Sequence, residues 1–142
     1  MHAVWGSSDS AVWSAGDRGD ILHGDGAAWV DLTTGPRQYL QGAWGNAPDD
    51  LWTIGESGAL LHWDGAALTE TPSDTEAQLH GLWGSEANDV WAVGDQGTTV
   101  HWDGEKWANI ASPTAQNLYA GWGAAPSTVW AVGAEGQLLR GE

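Results

Sequence analysis

Histidines 23, 62 and 101 stand at equal spacing along the chain, and each is followed two residues later by an aspartate, Asp25, Asp64 or Asp103. Imidazole beside carboxylate is the raw material of metal ligation and of general acid–base catalysis. A metal site needs several ligands converging within about 2 to 2.5 Å of one ion. Equivalent positions of a repeat are held apart instead, one to each unit, so no metal and no cofactor is expected. Each histidine is expected to hydrogen-bond within its own unit, with the aspartate two residues on as the candidate partner. Arg140 replaces the histidine in the fourth copy. Asp49 and Asp50 are adjacent carboxylates, but they fall in a turn-rich loop where solvation accounts for them.

Two further sets could contact a ligand. The second position of the first segment in each copy reads His2, Gln41, His80 and Tyr119, a polar and variable series of the kind that lines a channel or a ligand mouth. The other set is indole. The chain has twelve Trp, two Tyr and no Phe. Eight of the Trp recur at two fixed positions: Trp5, Trp44, Trp83 and Trp122, and eight residues later Trp13, Trp52, Trp91 and Trp130. A side chain needed identically in every copy is expected to be packing. Trp63 and Trp102 become Gly24 and Gly141 in the other copies, and Trp29 and Trp107 become Leu68. Those four tolerate replacement, which suggests positions nearer the surface, and they are the candidate ligand-stacking residues.

These positions must be held by a repeating scaffold. Trp-Gly recurs every 39 residues without insertion or deletion, dividing the chain into 1–39, 40–78, 79–117 and 118–142. In the second unit LQGAWG (40–45) alternates in period two, and LWTIG (51–55) and ALLHW (59–63) are β-branched, aromatic and apolar on both faces. Asp-Gly at 64–65 marks a hairpin, expected to be a type I′ turn, and ALTET (67–71) is the fourth and weakest segment. Strands apolar on both faces belong in stacked sheets. Four short strands per unit of about 40 residues predict an all-β β-propeller of about four blades of four antiparallel strands, the last blade incomplete, forming one domain over 1–142. A closed four-bladed ring fits this count, but Met1 aligns with Leu40 and leaves nothing to complete the last blade, so a longer array or a ring completed by a second copy is the expectation.

The stretches VWAVGDQGTTVHWDGEKW, DLWTIGESGALLHWDGAAL, AVWSAGDRGDILHGDGAAW and TVWAVGAEGQLLRGE resemble Trp-rich bacterial β-propeller repeats of the BNR or Asp-box, sialidase-like type. That resemblance implies a propeller whose Asp25, Asp64 and Asp103 are structural hairpin residues. It implies little about activity, because a sialidase clamps a carboxylate with three clustered arginines, while Arg18, Arg37 and Arg140 here stand in unrelated registers.

Charge narrows the partners. Nineteen acidic residues against four basic ones give a net charge of -15, which disfavours nucleic acid and anionic membranes. There is no cysteine, and the N-terminus lacks the basic flank and apolar block of a signal peptide. The reading is a non-catalytic binding or scaffold module of a secreted or cell-surface bacterial protein. It is expected to recognise a glycan through its loops and inter-blade grooves. The alternatives are a protein-interaction propeller or a piece of a larger propeller-containing hydrolase, and the partner set includes a second copy or further blades.

Overall fold

The computed structural model describes residues 2–32, 39–125 and 128–141. The connector 33–38, which carries Arg37, lies outside them. The first blade holds β1 (Ala3–Ser8), β2 (Ala11–Ala15), β3 (Ile21–Gly24) and β4 (Trp29–Asp31). The second holds β5 (Leu40–Ala47), β6 (Asp50–Gly55), β7 (Leu60–Trp63) and β8 (Leu68–Glu70). In the third are β9 (Leu79–Glu86), β10 (Asp89–Gly94), β11 (Thr99–Trp102) and β12 (Trp107–Asn109). The fourth comprises β13 (Leu118–Ala125), β14 (Thr128–Gly133) and β15 (Leu138–Gly141). Each blade is an antiparallel meander in chain order, four-stranded in blades one to three and three-stranded in the fourth among the described residues. This is a β-propeller architecture of four blades.

Register explains the repeat. Trp5 lies opposite Trp13, which lies opposite His23, and the series recurs as Trp44, Trp52, His62 and as Trp83, Trp91, His101. Directly opposed residues share a face, so each series forms one row across its blade. That row faces the following blade. The other face, Gly45, Leu51, Trp63 and Leu68 in blade two, looks back to the preceding one. The three apolar clusters are accordingly the three junctions. Trp13, Ala15 and Ile21 meet Leu40, Leu51 and Leu61 in the first; Trp52, Ile54 and Leu60 meet Leu79, Val90 and Val100 in the second. The third joins Trp83 and Val93 to Leu118 and Ala131.

Two turns per blade fix the strand ends. At 17–20, 56–59 and 95–98 the backbone N–H of the last residue donates to the carbonyl of the first, and two central residues sit at positive φ. Arg18 and Gly19 are at 61° and 75°, Ser57 and Gly58 at 55° and 71°. This is the type I′ arrangement, so that turn joins β2 to β3 and its equivalents. Asp-Gly, where the sequence predicts that turn, folds differently. There only the glycine has positive φ, and the loop is four residues long, between the opposed pair Trp63 and Leu68. The Asp64 carboxylate accepts from the N–H groups of Ala66 and Ala67, doing by side chain what a two-residue turn does by backbone.

The blades form an open arc. Strand β1 packs on β5, β5 on β9 and β9 on β13, whereas among the described residues no comparable packing joins β13 to β1. Of the three ways of completing the repeat, the closed four-bladed ring is the one this arrangement excludes.

Candidate functional site: inter-blade clefts and the inner-strand row

The histidines are held by stacking and by carboxylates one strand away. His23, His62 and His101 lie over Trp13, Trp52 and Trp91, with ring centroids 4.2 Å apart in each case. His62 Nε2 lies 2.6 Å from Asp50 and His101 Nε2 2.7 Å from Asp89. The partner lies in the same blade, as expected, but the expected Asp64 and Asp103 are not it, because their carboxylates are bonded to their own turns. Those turn N–H bonds hold Asp25, Asp64 and Asp103 below the ordinary carboxylate pKa. Ala11 occupies the position of Asp50 and Asp89 in blade one, and His23 Nε2 is buried without a hydrogen-bond partner. In blade four, Arg140 lies over Trp130 at 5.7 Å, a cation–π contact in place of the imidazole.

Asp89 is the most connected of these groups. It accepts from Ser85 Oγ, from Trp91 Nε1 at 3.0 Å and pairs with His101. Burial alone pushes its carboxyl up, but the three hydrogen bonds outweigh that and hold it below its usual value. Serine, histidine and aspartate therefore meet here in the wrong order for nucleophilic catalysis. The hydroxyl donates to the carboxylate rather than to an imidazole, which differs from the hydroxyl–imidazole–carboxylate order of a serine triad. Among the described residues no group of three His, Asp or Glu side chains converges on a common metal point.

The inner-strand row is brought together in part. His80 Nδ1 lies 3.1 Å from Gln41 Oε1 of the preceding blade, its Nε2 lies 2.7 Å from Asp95, and Tyr119 of the following blade packs against its ring at 5.3 Å. Gln41, His80 and Tyr119 thus run side by side across three blades, with Tyr119 half exposed. His2 bonds to Asp17 in the same manner as His80 to Asp95, both pairs fifteen residues apart. Those acidic partners were missed, although the shared spacing was visible. Beside the row lies an open polar groove of about 600 Å³, lined by Glu56, Thr75, Glu76 and Asp95 among others.

Of the four replaceable tryptophans, three point inward. Trp107 is 3% exposed, which corrects the expectation that it lies near the surface. It packs edge-on against Trp52 of the preceding blade at 5.1 Å, a site chosen by junction packing rather than by solvent. Trp63 meets Trp13 at 5.3 Å and Trp102 meets Trp52 at 4.9 Å, both partly buried. Only Trp29, at 58%, is exposed.

At the third junction the same position is Gly141. Where Trp63 and Trp102 fill the first two junctions, the third has an apolar cleft of about 320 Å³. Trp83, Trp91 and Ile110 form one wall, Val129 and Leu139 the other. Sequence alone marked the Trp-to-Gly change; the cleft beside it follows only from the packing.

No family model and no curated protein matches this chain. Solved structures do. YCF48 from Cyanidioschyzon merolae superposes with a TM-score of 0.77 at 17% identity, over 99% of this chain and 50% of that one. A streptogramin B lyase structure gives 0.77 at 12% identity, over 98% and 53%. The computationally designed Ika4 protein gives 0.78 at 16% identity, over 97% and 88%. This chain spans about half the length of the first two, and at such identities the similarity is one of fold: it is similar to β-propeller proteins.

Proposed function

We propose that this chain is a non-catalytic recognition module that binds a protein segment by taking an aromatic side chain into the cleft between blades three and four. One observation carries the reading. Two equivalent junctions show an indole seated where this cleft is open, so the shape and chemistry that fit are written in the molecule itself. Apolar, aromatic-lined concavities of this size are the ordinary form of a ligand pocket. The Asp-box likeness supports a folding role for Asp25, Asp64 and Asp103, whose side chains hold hairpin turns. A glycan reading keeps one observation in its favour: Trp29 is exposed next to Asp9, over a shallow hollow of about 170 Å³.

A tryptophan-bearing peptide library, followed by calorimetry with the best binder, tests this. Gly141→Trp should fill the cleft and weaken binding by roughly 30-fold or more, the scale of a buried aromatic anchor. Unchanged peptide affinity in Gly141→Trp would contradict the proposal. Binding of neutral oligosaccharides abolished by Trp29→Ala would favour the glycan instead.

A further inference from the structure

We infer that the two end faces of this arc are a matched pair, and that two copies close head to tail into one ring of eight blades. The rule of attachment is visible twice inside the chain. Trp5 lies over Gly45, where an added Cβ would come within 2.5 Å of the indole, and Trp44 lies over Gly84 at 2.6 Å. At the third junction the Trp83 indole is shifted to Gly121, where a Cβ would come within 2.0 Å, and stands 3.3 Å from a Cβ at Gly123, the repeat equivalent of Gly45. Each blade therefore offers an indole knob to a glycine hole of the next. The fourth knob, Trp122, is 64% exposed. The first hole, Gly6, meets no indole, only Ala11 and Val12 of its own blade.

The rest of both faces agrees. On the outgoing face of blade four, Val132 and Leu138 are 44% and 59% exposed. Their equivalents Ile54 and Leu60 are fully covered by the following blade. On the incoming face of blade one, Val4 is 70% exposed and Trp29 58%, whereas Trp107, which matches Trp29, is sealed against the preceding blade. Five of the nine exposed large apolar side chains among the described residues thus fall on two faces that are complementary by repeat register. In the closed ring Trp122 lies over Gly6 of the second copy, and Trp29 of that copy packs against Trp130, as Trp107 does against Trp52.

Head-to-tail surfaces make rings when the rotation closes and filaments when it does not. Closure rather than a filament is the outcome we infer, because radially packed blades of this fold complete themselves as rings. The occupant is a second copy rather than an unrelated surface because the knob and its hole lie at opposite ends of the same molecule. With a net charge of -15 on each copy, repulsion opposes association and added salt should tighten it.

Sedimentation equilibrium of the intact chain at micromolar concentration tests this, together with Trp122→Ala and Gly6→Val. The first variant removes the knob and the second fills the hole. Trp122 is exposed in the single copy, and a Cβ at Gly6 has only 3.3 Å contacts to its own blade, so both should retain the native circular dichroism. The expected result is a species of twice the 15.0 kDa chain mass, with each variant raising the dissociation constant roughly 30-fold or more. A monomer, an open-ended series of larger species, or a dimer indifferent to both substitutions would overturn the inference. Peptide binding in the cleft is read separately with Gly141→Trp, so either proposal can fail without the other.

Discussion

Asp89 ties three strands of one blade together. Its carboxylate gathers a hydroxyl from β9, an indole N–H from β10 and an imidazole from β11 around one buried point. Asp89→Asn keeps the shape but puts an NH2 group where an acceptor was, so the three partners can no longer all be satisfied. The expected loss is about 2 to 3 kcal/mol in urea denaturation at pH 7. The pH dependence follows from the lowered folded-state pKa. Such a group stabilises fully above the unfolded value of about 3.9, and the contribution disappears as pH falls through the folded value. The gap between wild type and Asp89→Asn should therefore narrow below about pH 4, and a constant gap would show that the charge is not what matters. The sequence made the histidines conspicuous but pointed to the wrong aspartates. Asp64 and Asp103 are nearer in the chain, yet they have left the strand and are bonded to the turn. Asp50 and Asp89 precede Trp52 and Trp91 by two residues and so share their face, a signal readable only once the strand pairing is known.

At the scale of the element, strands were legible and turns were not. Period-two alternation and β-branched runs located β5 to β8 to within a residue or two at each end, because burial on both faces leaves little freedom in register. The I′ turn was misplaced because Asp-Gly satisfies two different loop geometries. In one the backbone carries both left-handed residues; in the other the aspartate side chain replaces one of them. The glycines of the true I′ turns differ in surroundings, and this makes a paired test. A Cβ at Gly58, where φ is 71°, would fall 1.9 Å from the Thr75 carbonyl oxygen, whereas at Gly136, where φ is 76°, nothing lies within 4 Å. Gly136→Ala should cost about 1 kcal/mol, the price of left-handed backbone alone. Gly58→Ala should cost about 3 kcal/mol or more, because the connector to the next blade must also move. Equal effects on the thermal midpoint would mean that the connector does not rest on the turn as the structure shows.

At the scale of the molecule, an indole of one blade meets a glycine of the next at all three junctions, while Val4, Trp29, Trp122, Val132 and Leu138 are exposed on the outer faces of blades one and four. The 39-residue cadence disclosed the blades, and of the eight recurring indoles expected to be packing Trp13, Trp52 and Trp83 are buried whereas Trp122 is 64% exposed, a departure from that expectation. The cadence could not disclose which of them lack a partner, because Trp122 and Trp83 are identical in register and differ only in what lies beyond them. The same blindness hid the cleft at Gly141, which is a property of two blades and not of either one. Propeller stability on this view resides in the junctions, where Trp83 is 6% exposed, and not in the indole content of the chain. The most direct test is a comparison of Trp83→Ala with Trp122→Ala by urea denaturation, at concentrations dilute enough for single copies. Loss of the covered indole should cost about 3 to 5 kcal/mol, and loss of its exposed counterpart less than about 1. Equal destabilisation by the two substitutions would contradict the assignment of the recurring tryptophans to the seams between blades.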